Sequence, residues 1–303
     1  MKAVQYFAII IAAVISHGCV SEKSSNETSE QKSEMVSKKY ENLNISILFD
    51  LSDRIDTTKY HNESMEYYLR DVAYVNSVVN AFSNHLKNKP IRTINDNIKV
   101  FFDPEPKNKN INEAAQNLNL RFNRNTVTQE SIQQLETEYG TLTREIYEMA
   151  LSDKHYIGSD TWGFFRSKVN DLCIEKDYRN ILVILTDGYI YHTDSKRKEG
   201  NKTTYLTQQD VRRFGLNSEN WQQKYSTDNY GFIPATSNLE ELEVLVLGLN
   251  PDKKNPYEED VLRSYWSDWF IAMGVKEENF VIKKSDLPSN LDKLIVDFIY
   301  NQH

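Results

Sequence analysis

Cysteine is scarce: Cys19 and Cys173 are the only two in 303 residues. No disulfide framework can staple the chain, which is long enough to hold a core without one. Positive charge is outnumbered, with 36 Lys and Arg against 44 Asp and Glu and a formal net charge of -8. That balance argues against nucleic acid as a partner. No Gly-x-Ser-x-Gly elbow and no Gly-x-x-x-x-Gly-Lys phosphate loop occurs, so the common enzyme signatures are missing. No histidine pair has zinc-like His-x-x-x-His spacing, and no internal repeat is visible. The apolar run from Phe7 to Ile15 is too short to span a bilayer comfortably as a helix.

What is present is an alternation of strand-like and helix-like segments. Ile45 to Phe49 is a nearly continuous apolar run, and it ends in Asp50-Leu51-Ser52-Asp53-Arg54. Ile181 to Leu185 is the strongest buried-type run, and it ends in Thr186-Asp187-Gly188. Further strands are expected at Ile98–Phe102, Leu118–Phe122, Leu242–Leu249 and Phe280–Ile282. Helical spacing is read over Val72–Leu86, over 128–151 with a break at Gly140, over Trp162–Ile174, Val261–Met273 and Leu291–Ile299. This alternation implies an α/β fold, doubly wound, with a mostly parallel central sheet flanked by helices. Ligands of such sheets sit at the carboxyl ends of strands, where the strand order reverses. Asp50 and Asp187 both fall at such ends. Hard oxygen ligands gathered there suit a divalent cation such as Mg²⁺.

Residues 189–240 break the alternation and read as an insertion in one domain spanning 41–303. The aromatics Tyr205, Phe214, Trp221, Tyr225 and Tyr230 imply that the insertion is at least partly ordered. Cys173, between Val169 and Ile174, reads as a buried thiol. His155 and His192 fall near the same sheet edge as Asp187, either as loop residues or as transition-metal ligands. Tyr189, Tyr191 and Trp162 either rim that face or pack under the insertion.

Met1-Lys2, the apolar run and Ser16-His17-Gly18-Cys19 resemble the signal and lipobox of bacterial lipoproteins. The resemblance implies that residues 1–18 are a signal peptide and that Cys19 carries a lipid holding the chain to a membrane of the cell envelope. Ser16 and His17 depart from the family's preferred residues. The Ser-, Glu- and Lys-rich stretch that follows makes 19–40 a tether.

The two Asp segments resemble those of the von Willebrand factor A family. That family has Asp-x-Ser-x-Ser after its first strand and Thr-Asp-Gly after a later one. Between them it places a Thr at the start of a helix, where Gly158-Ser159-Asp160-Thr161 stands here. The resemblance implies a metal-ion-dependent adhesion site with Asp50, Ser52, Thr161 and Asp187 as ligands, Ser159 competing with Thr161. Its cofactor would be Mg²⁺ or another divalent cation, and its partner a protein offering an acidic residue. Arg54 departs from the pattern, because a guanidinium cannot ligate a metal. It either turns outward to Asp53 or Asp56, or bridges Asp50 and Asp187 in the metal's place.

The leading expectation is therefore a tethered binding module, not an enzyme. A metal-free scaffold for envelope assembly is the alternative. A Mg-dependent phosphohydrolase of the haloacid dehalogenase type ranks last, because Ser52 stands where its acid/base Asp is needed.

Overall fold

A computed structural model describes residues 41–300 apart from Ile157. The expected signal peptide, Cys19 and the tether lie outside these residues. Apolar β-propensity decides the strands. Leu43–Phe49 (β1), Asn95–Phe102 (β2), Arg179–Leu185 (β4), Leu242–Leu249 (β8) and Phe280–Lys284 (β9) are parallel, while the short Leu120–Asn123 (β3) runs antiparallel to β2. The sheet order is β3-β2-β1-β4-β8-β9. β1 and β4 are buried along their whole length, as central parallel strands require.

Alternate residues of these strands feed two cores, because successive side chains of a strand point to opposite faces. Ile45, Ile47, Ile181 and Val183 meet helices Tyr67–Asn88 (α1), Lys109–Asn117 (α2), Gln129–Asp153 (α3) and Pro288–Ile299 (α9). Leu48, Leu182, Ile184, Val244 and Val246 meet Thr161–Ser167 (α4), Val169–Cys173 (α5), Glu258–Ala272 (α8) and the insertion. Among the described residues no helix is long and apolar enough to cross a membrane.

Three local expectations change. α3 runs through Gly140 without a break; a Thr128–Ser131 capping box starts it, and packing offsets the ~1 kcal/mol that a mid-helix glycine costs. The helix expected over Trp162–Ile174 is two short ones, parted at Lys168. Leu118 is not in a strand but caps α2, a helix whose start is signalled only by Asn108 accepting from Asn110 N–H.

The insertion is ordered. It holds the strands Lys198–Glu199 (β5), Lys202–Thr203 (β6) and Gly231–Phe232 (β7) as a small sheet, with helices Gln208–Arg213 (α6) and Trp221–Thr227 (α7). Indole N–H groups tie down both its ends. Trp266 donates to Gly188 O at 2.9 Å, while Trp162 and Trp269 both donate to Ile233 O, at 2.8 and 3.0 Å. Trp162 is thus packed under the insertion rather than on the rim.

Candidate functional site

β1 lies between β2 and β4, so the chain leaves its carboxyl end toward one side and returns on the other. The crevice this opens is where Asp50 and Thr186 come together. Phe49 pairs with Leu185, Asp50 N–H donates to Leu185 O at 3.2 Å, and Thr186 Oγ1 donates to Asp50 Oδ2 at 3.3 Å. Asp50 Oδ1 accepts from Ser52 N–H at 2.9 Å, which folds the Asp50–Ser52 turn back on itself. Gly188, at φ +96°, makes the turn after Asp187; a Cβ there would sit 3.0 Å from Leu249 Cγ.

The third segment arrives through α4. Asp160 caps it by accepting from Gly163 N–H at 2.9 Å, and a Cβ on Gly163 would lie 2.4 Å from Asp160 Oδ2, so this close cap needs glycine. Asp160 N–H is itself fixed by Asp103 O at 2.8 Å. Ser159 and Thr161 stand together with hydroxyls 3.2 Å apart, both buried.

Arg54 turns inward rather than toward Asp53 or Asp56. Its Nη2 donates to Asp71 Oδ2 at 2.6 Å and to Leu185 O at 3.2 Å. Its Nε lies 3.3 Å from Asp50 Oδ2, an ion pair without hydrogen-bond alignment. The carboxylates it bridges are therefore Asp50 and Asp71, not Asp50 and Asp187. Asp71 is on α1 and accepts a second bond from Tyr147 of α3 at 2.9 Å. Arg54, Asp50 and Asp71 are 5, 3 and 2% exposed, so the cluster is cut off from solvent. Burial acts against the Arg54 charge, but Asp71 and then Asp50 outweigh it and push the pKa above the ordinary guanidinium value.

A cleft of about 540 Å³ opens above this cluster. Ser52, Ser159, Asp187 and Asn250 line it, together with Tyr189, Tyr191 and further residues of the insertion. Tyr189 is tied to the buried Glu258, while Tyr191 is exposed. His192 stands 3.4 Å from Asp160 and His155 bonds to Asp153 O at 2.7 Å, so the two histidines serve separate loops.

The structure thus brings residues 50–54, 159–161 and 186–188 to one sheet edge, but not around one open position. Asp50 and Thr161 lie behind the cleft wall, both Asp50 oxygens are engaged, and the Thr161 hydroxyl faces Ser159. A guanidinium already neutralises Asp50. As they stand, these donors do not fit a divalent cation, which needs several free oxygens converging on it. Among the described residues no three His, Cys, Asp or Glu side chains form a metal cage.

Asp187 carries the remaining strain. Burial first, then the Asp50 charge, push its pKa up to about 7, with Arg54 pulling the other way. Its folded pKa lies above the unfolded value, so stability falls as the pH rises from the ordinary carboxylate range through about 7. Asp187→Asn is expected to stabilise the protein by on the order of 2 kcal/mol at alkaline pH, a gain that shrinks on acidification. Urea denaturation at several pH values checks this; an Asn variant of equal or lower stability at high pH would contradict it.

No family model matches this chain. No curated protein matches it either. Among solved structures it is similar to proximal thread matrix protein 1 from the mussel byssus, at 11% identity and a TM-score of 0.38 over 85% of this chain and 48% of that one. It is also similar to the pilus adhesin SpaC from Lactobacillus rhamnosus GG, at 11% identity and a TM-score of 0.39 over 86% of this chain and 30% of that one. The chain spans less than half the length of either.

Proposed function

We propose that this chain is a von Willebrand factor A-type binding module whose protein partner docks over the carboxyl ends of β1 and β4. In this proposal Arg54 holds the place that a cation takes in that family. The signal, Cys19 and the polar stretch to residue 40 make the module exported and lipid-anchored to the cell envelope. The observation that carries the reading is that segments 50–54 and 186–188 meet at the switch point around one buried guanidinium, with Ser159 of the third segment on the wall of the same cleft. The cleft above it offers side chains of both charges and three tyrosines, the mixture of a recognition surface rather than of a nucleophile with its base.

A second reading, in which Mg²⁺ still binds, is favoured by one observation: Asp187 stands on the cleft wall, bonded to Tyr189 N–H, with no cation within ion-pair distance among the described residues. Ser52, Ser159 and Asp187 on the cleft wall would then be its nearest oxygens.

Thermal unfolding with and without Mg²⁺ separates the two. The natural chain is expected to melt at the same temperature in Mg²⁺ and in EDTA. Arg54→Ser combined with Asp71→Asn clears the guanidinium and leaves Asp50 as the one buried carboxylate it had neutralised, a charge that Mg²⁺ would then meet. That variant is expected to gain about 2.7 kcal/mol of Mg²⁺-dependent stability at a hundred times its Kd. Mg²⁺-dependent stabilisation of the natural chain, abolished by Asp187→Ala, would decide for the second reading.

A further inference from the structure

We infer that Lys196 is a carboxylate-reading subsite of the cleft, which takes an acidic side chain of the protein partner. The inference rests on the proposed docking face and identifies the group on the partner that the face selects.

The guanidinium behind the floor is spent, because Arg54 is buried between two carboxylates. Of the cations lining the cleft, Arg212 pairs with Asp252 at 2.9 Å and Arg213 with Asp210. Lys196 is different. Among the described residues no carboxylate lies within ion-pair distance of its Nζ, which is held instead 4.6 Å from the ring centre of Tyr205 and 5.3 Å from that of Tyr191. The two rings meet edge to face at 6.4 Å, so the seat is itself fixed. A ring quadrupole positions an ammonium but accepts no conventional hydrogen bond, and the ammonium's three donors stay available.

The neighbours extend the pattern. Arg197 lies over Trp162 and Lys198 over Phe214, each 5.9 Å from the ring centre, and neither has a carboxylate partner among the described residues. Three consecutive cations laid on aromatic faces in a chain of net charge -8 form a local positive field against the overall sign. Only Lys196 of the three lines the cleft. A flat anionic lipid surface would call for several cations on one plane. A concave cleft offering one ammonium, with Ser52, Ser159 and Asn250 as neutral hydrogen-bonding groups, suits a single carboxylate. Of the acids lining the cleft, Asp53 is already paired with Lys59 at 3.1 Å and Asp210 with Arg213, which leaves Asp187.

The test uses the full chain, ¹⁵N-labelled, with acetyl-Gly-Asp-Gly-amide as probe and its Asn counterpart as control, each in Mg²⁺ and in EDTA. The Asp peptide is expected to shift the Tyr191, Lys196 and Tyr205 amides and to bind about tenfold more tightly than the Asn peptide. Lys196→Gln is expected to erase that difference and Lys196→Arg to keep it, in EDTA as in Mg²⁺. Asp and Asn peptides of equal affinity, or a preference that survives Lys196→Gln in EDTA, would overturn the inference and leave the Arg54 reading standing. A preference that vanishes in EDTA and ignores Lys196→Gln would overturn both. Binding to phosphatidylglycerol vesicles that Lys196→Gln abolishes, with no peptide preference, would assign the lysine to lipid and overturn the inference as well.

Discussion

Replacing Arg54 by Ala is expected to destabilise the protein by about 3–5 kcal/mol, because it strands two buried carboxylates. Asp50 and Asp71 are nearly inaccessible, and Arg54 is the cation that touches both. Leu185 O would also lose a donor. Lysine is a poor substitute, since one ammonium cannot reproduce the reach of Nε and Nη2 to separate partners. Pairing Arg54→Ala with Asp71→Asn should recover part of the loss, because one of the stranded charges is then gone. Urea denaturation of the single and double variants gives the answer. A loss below about 1 kcal/mol, the range of exposed ion pairs, would show that the cluster is wetter than its burial indicates.

Trp269→Ala is expected to cost a similar 3–5 kcal/mol, by a different route. The indole is 1% exposed and packs on Phe165 at 4.7 Å, Phe232 at 5.5 Å and Trp266 at 5.7 Å between ring centres. Phe232 belongs to β7, and Ile233 O accepts the indole N–H. The deletion therefore opens a cavity and loosens one end of the insertion, which the Trp162 indole still holds at Ile233 O. Hydrogen exchange should show protection lost first at residues 231–233, while β1 and β4 keep theirs. Trp269→Phe retains most of the packing and should cost only about 1 kcal/mol for the missing hydrogen bond. Uniform loss of protection across the sheet would mean that the insertion is no separable unit.

The sequence made the sheet legible where burial is two-sided. β1, β4 and β8 carry apolar residues on both faces, as a central parallel strand does, with Ile181–Leu185 and Val244–Leu247 unbroken. The acid at the end of β1 and the one after β4 could be placed for that reason. Asp71 and Tyr147 could not. They sit inside helices among residues chosen for packing, and no local pattern marks a side chain whose partner is 17 or 76 positions away. Arg54 itself was visible as an anomaly, but its direction depended on a carboxylate that α1 brings in. The elements inside the insertion, whose bounds and partial order were legible, were hidden for another reason. Its strands are two residues long and its helices six and seven, too short for periodicity to register. Its order comes from aromatic packing and from three indole hydrogen bonds.

The direction of the parallel strands also settles how the molecule can be handled. β1 begins beside β4 at the pole away from the cleft, where Arg179 N–H bonds to Asn42 O and the Arg179 guanidinium holds Phe298 O and Ile299 O. Residues 41 and 300 therefore exit together from the underside. A purification handle, a dye or a sensor-chip linkage grafted at either position leaves the opposite pole facing bulk solvent.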